Sequence, residues 1–321
     1  MLIKKTFIYS KIKTDGISLD MTKQPKIAVI GAGVVGSTTA YTLKLKQIAS
    51  QLILVDVNDI KCRGEVEDPS DTFTLHSDGQ VILGTLKDAA QADIAIITAG
   101  IAQKPGQSRI DLLKTNHEII SSIINGMKPL NPALIIIMVT NPVDILTHLC
   151  CTLSGLPKSQ IFGSGTLLDS WRLRNLISQK ITIAAQSINL YILGEHGDSQ
   201  FVAWSTATIA GKSLLEFTEL KSQFSDLAQA AKNKAYSIIQ CKGSTAFGIA
   251  SCIVEYCQNI ICDSKKVIPV SCFLKEFDIC MSMPAVIGNK GVEKIIIPPF
   301  NSEEKLSFEK TIEILKQHHA I

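Results

Sequence analysis

KIAVIGAGVVGSTTAYTLKLK, Lys26 to Lys46, decides the fold. Lys26 to Ile30 is a short apolar run with β-branched residues and predicts a strand. The stretch after Gly36, to about Lys46, predicts a helix. Between them lie Gly31, Gly33 and Gly36. The first glycine permits a tight turn, the second lets a pyrophosphate approach the backbone, and the third lets helix and strand pack closely. The helix N-terminus, where Val34 and Val35 fall, favours phosphate charge. A second apolar run, Leu52 to Val55, ends at Asp56, twenty residues beyond Gly36. A carboxylate there accepts hydrogen bonds from a ribose 2′-hydroxyl and repels a 2′-phosphate, which predicts NAD rather than NADP.

Outward from this motif the alternation continues. Val81 to Leu83, Ile94 to Thr98 and Leu134 to Val139 read as further strands with helices between them. Near-continuous apolar strands separated by helices predict a parallel sheet covered on both faces, the doubly wound α/β pattern. After residue 165 the rhythm changes. Helical stretches over roughly 213–240 and 246–262 precede strand-like segments at 266–273, 277–283 and 292–297, and a last helix covers about 302–317. The predicted organisation is a loose N-terminal extension over 1–21, a Rossmann-type dinucleotide-binding domain over 22–163, and an α+β substrate domain over 164–321.

Composition narrows the function classes. The chain has 321 residues, a hydrophobic fraction of 46% and a net charge of +3. Its basic residues are scattered, which excludes an electrostatic nucleic-acid surface. No apolar run approaches the roughly 18 residues of a membrane span. The nine cysteines include no CxxC pair, so neither a disulfide framework nor a metal site is predicted; they read as buried free thiols in a reducing, cytoplasmic compartment. Lys4, Lys5, Lys11 and Lys13 interrupt the apolar residues of the first stretch, which argues against a secretory signal. Met21 is an alternative start.

Four polar clusters fall at strand ends or loops. AGIAQKPGQSR, Ala99 to Arg109, follows Thr98; it holds Gly100 and Gln103, and Pro105 and Gly106 mark a loop able to close over a ligand. TNP, Thr140 to Pro142, places Asn141 at another strand end. LLDSWR, Leu167 to Arg172, sets Asp169 and Arg172 three apart on one helix face. LGEHGDS, Leu193 to Ser199, sets His196 between glycines. Singly, each has an ordinary structural reading: a solvated histidine, a surface ion pair, a helix-end arginine. Together with a dinucleotide site they match one chemistry. Reducing a 2-keto acid takes a hydride to the carbonyl carbon and a proton to its oxygen. Histidine supplies such a proton near neutral pH, and a carboxylate beside it orients the ring. One guanidinium matches the substrate carboxylate in bidentate geometry, and a second, on a closing loop, polarises the carbonyl.

These motifs, in this order, resemble the lactate dehydrogenase branch of the lactate/malate dehydrogenase family. GEHGDS, GSGTLLDSWR, TNPVD, KGSTAFGIA and PAVIGNKGVEKII carry the resemblance, which runs from Lys26 to the C-terminus. It implies His196 as proton donor and acceptor, Asp169 as its partner, Arg172 for the substrate carboxylate and Arg109 as the loop arginine. It further implies Asn141 at the carbonyl or nicotinamide, Ser164 at the carboxamide, and Thr245 and Ile249 lining the pocket and the nicotinamide face. The expected cofactor is NAD, the expected substrates are pyruvate and L-lactate, and the expected assembly is a homotetramer or homodimer. Gln103 carries the substrate choice: malate enzymes have an arginine there, and a neutral amide leaves the second carboxylate of oxaloacetate uncompensated. The alternatives are a malate or other 2-hydroxy acid dehydrogenase, and a catalytically weak dinucleotide-binding relative.

Several residues depart from the family. Trp171 replaces a small residue beside Arg172, with the expectation that it reshapes the pocket or a subunit contact. Pro69 stands within a predicted helix, which should end early or kink there. Phe273 to Pro284 is shorter than usual and lacks the family's Tyr-Gly pair, which argues against a regular hairpin. Asn189 stands where sugar-bisphosphate-activated members carry histidine, although Arg174 is retained.

Overall fold

Near-continuous apolar strands alternate with helices through the first half, in a computed structural model that describes residues 25–74, 79–101, 109–220 and 222–319. The elements run β1 (Lys26–Ile30), α1 (Val34–Leu45), β2 (Gln51–Val55), α2 (Asp59–Ser70), β3 (Gln80–Leu83), α3 (Leu86–Ala89), β4 (Ile94–Ile97), α4 (Arg109–Met127), β5 (Ile135–Met138), α5 (Val143–Leu153) and β6 (Ile161–Gly163). β4 and β5 are buried along their whole length, as strands covered on both faces must be. β1 to β6 are parallel in the order β3-β2-β1-β4-β5-β6. Strand order reverses between β1 and β4, and ligands of such sheets bind in the crevice outside the carboxyl ends at that point.

The second half runs α6 (Leu167–Ile181), β7 (Ile188–Asn189), β8 (Ile192–Leu193), β9 (Phe201–Val202), β10 (Thr208–Ile209), β11 (Lys212–Ser213), α7 (Phe224–Lys242), α8 (Phe247–Ile261), β12 (Lys266–Leu274), β13 (Ile279–Gly288), β14 (Gly291–Ile295) and α9 (Ser302–His319). β12, β13 and β14 do not form a sheet of their own. Ser271 on β12 pairs antiparallel with Gly163 on β6, so the dinucleotide-type sheet continues into the second half as an antiparallel extension. The remaining short strands form small sheets beside α6.

Three sequence expectations need correction. The helix expected from residue 213 begins at Phe224; residues 214–220 form two 3-10 turns. Ser213 accepts a hydrogen bond from the Leu215 N–H, and such local side-chain bonding competes with helix. The β12–β13 hairpin is regular, paired from Lys266↔Ile287 to Leu274↔Ile279. Asp278 takes the left-handed conformation (φ 54°) that a glycine would otherwise supply, and Phe277 packs edge-on to Phe308. Not all thiols are buried: all nine are free, and Cys241 and Cys262 are exposed. Pro69 acts as expected, since α2 stops one residue beyond it and passes into a 3-10 turn. The N-terminal extension lies outside the described residues.

The glycine motif shows why its third position excludes a side chain. A Cβ at Gly36 would stand 1.8 Å from the Gly31 carbonyl oxygen and 2.8 Å from Thr98 Oγ1. Backbone cannot yield that far without opening the β1–β4 seam. Gly36→Ala is expected to destabilise the fold by about 3 kcal/mol, the upper range for overpacking. The midpoint of urea unfolding without cofactor measures this; an unchanged midpoint would refute the packing role.

Candidate active site

The catalytic candidates rest on α6 and on the loop that follows β8. At the start of α6 the Ser170 hydroxyl donates to the Thr166 carbonyl and accepts from Ile192 N at 2.9 Å, which ties β8 to the helix. The chain then turns at Gly194 (φ 89°), whose backbone pairs with Ser282 of β13 in both directions. His196 comes two residues later. Its Nδ1 lies 2.8 Å from Asp169 Oδ2, while Arg172 donates to Asp169 Oδ1 at 3.2 Å. Asp169 therefore holds the imidazole with one oxygen and the guanidinium with the other. It is 3% exposed, so neither partner is replaced by bulk water.

The electrostatics follow from this bridge. Burial pushes the Asp169 carboxyl up, but His196 and Arg172 outweigh it and the net shift is down. Burial pulls the His196 imidazole down, but Asp169 and then Asp144 outweigh it, and its affinity for a proton rises. An ionised Asp169 can only accept, so Nδ1 carries the hydrogen and Nε2 is the nitrogen free for exchange. The His196 side chain keeps 30% of its surface, enough to meet a ligand.

The residues predicted to hold the dinucleotide surround the β1–β4 reversal. Gly31 (φ 104°) makes the turn after β1, and a Cβ on it would stand 2.5 Å from Ala99 N. Gly33 is exposed and a Cβ there meets nothing within 4 Å, leaving open space in front of the α1 N-terminus. Gly33 caps that helix without any side-chain hydrogen bond, so the first amides, including those of Val34 and Val35, face the opening. Asp56 at the end of β2 accepts from Ala32 N at 2.6 Å and from Asn58 N at 2.9 Å. It thus sits against the glycine loop, where a ribose would lie. Thr98 donates to the Gly31 carbonyl, and a Cβ on Gly100 would stand 2.3 Å from Thr140 Cγ2, so the two strand ends approach too closely for a side chain there. This open cradle, its helix amides and one carboxylate fit NAD.

Asn141 is exposed at the end of β5. Ser164 is buried after β6, its carbonyl accepting from Tyr256 Oη at 2.6 Å. Thr245 and Ile249 are half-buried at the start of α8. Cys252, one turn further along, has its thiol pushed well up by burial and then by the charge of Asp169, with Arg172 pulling the other way. That brings α8 alongside the pair. Arg109 is the first residue of α4, but its side chain, like all of Gln103, lies outside the described residues. Trp171, expected to reshape the pocket or a subunit contact, turns its ring away from the Asp169–Arg172 pair. It faces a cleft of about 670 Å³ with Leu167, Arg174 and Tyr191, which Arg172 does not line. Residues 171 and 172 are about 100° apart around a helix, which is reason enough. Arg174 spends its guanidinium on the Leu190 carbonyl.

Two polar residues escaped the sequence reading. Asn116 is fully buried on α4; it accepts from Ile101 N at 2.9 Å and donates to the Asn141 carbonyl at 2.8 Å, joining the start of the loop after β4 to the end of β5. Nothing in its local sequence marks it. Asp144 is buried on α5 and receives the His196 backbone N–H at 2.7 Å. It belongs to the quoted TNPVD, and its position among apolar helix residues was the available signal.

Residues 25–163 match the family of the lactate/malate dehydrogenase NAD binding domain, and residues 166–320 match that of the lactate/malate dehydrogenase alpha/beta C-terminal domain. The chain is 41% identical over 297 residues to L-lactate dehydrogenase A of Rhizopus oryzae, covering 92% of each. It is 40% identical over 302 residues to the L-lactate dehydrogenase of Acetivibrio thermocellus, covering 91% of this chain and 95% of that one. A crystal structure of the minor L-lactate dehydrogenase of Enterococcus mundtii in ligand-bound form superposes with a TM-score of 0.89 at 36% identity, covering 93% of this chain and 98% of that one.

Proposed function

We propose, from the premise that this chain belongs to the lactate/malate dehydrogenase family, that it interconverts pyruvate and L-lactate with NAD and NADH, His196 exchanging the proton. The observation that carries the reading is the single buried carboxylate of Asp169 shared between His196 and Arg172. NAD, when bound, supplies and accepts the hydride. The side chains do the rest. Arg172 takes the substrate carboxylate, with its orientation set by Asp169. His196 Nε2 gives its proton to the carbonyl oxygen in reduction and removes it in oxidation, while Asp169 stabilises the imidazolium. Arg109, the first residue of α4, polarises the carbonyl, and closure of the segment ahead of it excludes water. Gln103 in that segment faces the methyl end of pyruvate. Asn141, Ser164, Thr245 and Ile249 line the nicotinamide and substrate space. The domain boundary falls near residue 163, between β6 and α6.

The chain is further proposed to act as a cytoplasmic homotetramer or homodimer. Val57, Ile60 and Phe247 are 105%, 87% and 71% exposed on or beside α2 and α8, large apolar side chains suited to a subunit contact. Among the described residues no helix is long and apolar enough to cross a membrane. Pro69 and Trp171 motivate a binding-only relative, but Pro69 stands at the end of α2, Trp171 lines the cleft with Arg174 and Tyr191, and His196, Asp169 and Arg172 stand together, so the reading favoured is catalysis.

A panel of 2-keto acids tested with NADH and NADPH is the deciding experiment. Pyruvate is expected to exceed oxaloacetate in kcat/KM by about a thousand-fold, several kcal/mol for one uncompensated charge. NADH is expected to exceed NADPH because Asp56 repels a 2′-phosphate. Turnover of oxaloacetate above pyruvate would overturn the substrate assignment.

A further inference from the structure

We infer that Asp144 is a positioning residue for His196: its buried carboxylate holds the main chain that carries the imidazole and sets a second negative charge beside the one on Asp169. The inference rests on His196 being the proton-exchanging group proposed above. Asp144 lies on α5, in the first half of the chain, and is 2% exposed. Both its oxygens are engaged. Oδ2 accepts the His196 N–H at 2.7 Å and Oδ1 accepts the Ser271 hydroxyl at 2.6 Å. Ser271 is on β12, at the residue that pairs with Gly163 where the extension joins the sheet. One carboxylate therefore fastens three parts together: the helix after β5, the β12 extension and the histidine loop.

A purely structural role would be served by a neutral group of the same shape. A buried anion is expensive, and burial pushes the Asp144 carboxyl up to about 6 against the pull of Ser271 and the His196 N–H. The site nonetheless holds it within reach of the imidazole, whose proton affinity Asp144 raises after Asp169. Among the described residues, the charged and titratable groups facing this pair are these. Asp169 and Arg172 stand on α6. Glu195 stands in the histidine loop, its carboxylate taken by the Ser199 hydroxyl at 2.6 Å. Cys272 and Cys280 stand on β12 and β13, both with thiols raised by burial and so neutral. Asp144 is thus the second anion after Asp169 that favours the imidazolium, against Arg172 which disfavours it.

Asp144→Asn separates charge from shape. The amide oxygen can accept the His196 N–H, and the amide nitrogen can donate to Ser271 Oγ, which is able to accept instead. Both hydrogen bonds persist and only the charge is lost. In full-length protein labelled with 13C-histidine, His196→Gln identifies the His196 signal. The Asp144→Asn imidazole is expected to titrate at least about half a pH unit lower than wild type, the scale of one nearby charge. The alkaline limb of kcat/KM for pyruvate should move down by the same amount, with NADH affinity unchanged. Ser271→Ala, which removes a bond favouring ionised Asp144, should shift the imidazole in the same direction by less, and it carries the test if Asp144→Asn does not fold. An imidazole titrating as in wild type in the variant that folds would overturn the inference. The NMR titration needs no turnover, so failure of the proton-exchange reading, seen as equal activity of wild type and His196→Gln, is a separate result.

Discussion

His196→Gln is expected to lower kcat for pyruvate reduction by about a thousand-fold or more while leaving NADH affinity near that of wild type. The magnitude is that of removing a positioned general acid. Glutamine keeps a polar head able to meet Asp169, so the buried carboxylate is not stranded, and the cofactor cradle on β1, β2 and β4 is untouched. Stopped-flow turnover and fluorescence titration of NADH measure the two halves. Turnover within tenfold of wild type would refute the role of His196. The same group sets the pH dependence. Its folded-state affinity for a proton is raised above the ordinary 6.5. Pyruvate reduction needs the imidazolium, so it should persist above pH 6.5 and fail as pH rises through the raised value. Lactate oxidation needs the neutral ring and should gain over that same window. The stability contributed by the imidazolium–Asp169 pair has the same sign: present below pH 6.5 and lost as pH rises through the folded-state value.

Arg172→Leu is expected to reduce kcat/KM for pyruvate by roughly a hundred- to several-thousand-fold, mainly through KM. Removing one partner of a buried charge pair costs about 2–5 kcal/mol, and here two partners lose it, the substrate carboxylate and Asp169. The Arg172 side chain is only 11% exposed, so water replaces it poorly. Arg172→Lys distinguishes charge from geometry: it keeps the cation but not the planar fork, and should recover only part of the loss. Binding of NADH should be unaffected in both. A Leu variant with KM for pyruvate within a few-fold of wild type would place the substrate carboxylate elsewhere.

Trp171 shows how neighbours in sequence separate in space. One residue apart on α6, Arg172 meets Asp169 and the indole faces a different cleft with Arg174 and Tyr191.

Local chemistry was enough to read several features directly from the chain. Gly31, Gly33 and Gly36 each answer to a constraint within a few residues: a positive φ, an open approach, a 1.8 Å clash for any Cβ. The buried parallel strands announce themselves by apolar runs, and Asp169 with Arg172 by helical spacing. What the tertiary structure alone decided are the long-range pairings, because no period or spacing encodes them. Asp144 and His196 are 52 residues apart, and Asp144 and Ser271 are 127 apart. Asn116 looks like any polar residue on a helix until β4 and β5 bring Ile101 and Asn141 to it. The β12–β14 strands were legible as strands, but their joining the parallel sheet through Ser271 and Gly163 depends on which edge the folded core leaves open. Sequence specified the chemical groups; only packing could choose which of them share a buried, weakly screened space where a carboxylate can raise an imidazole's hold on its proton.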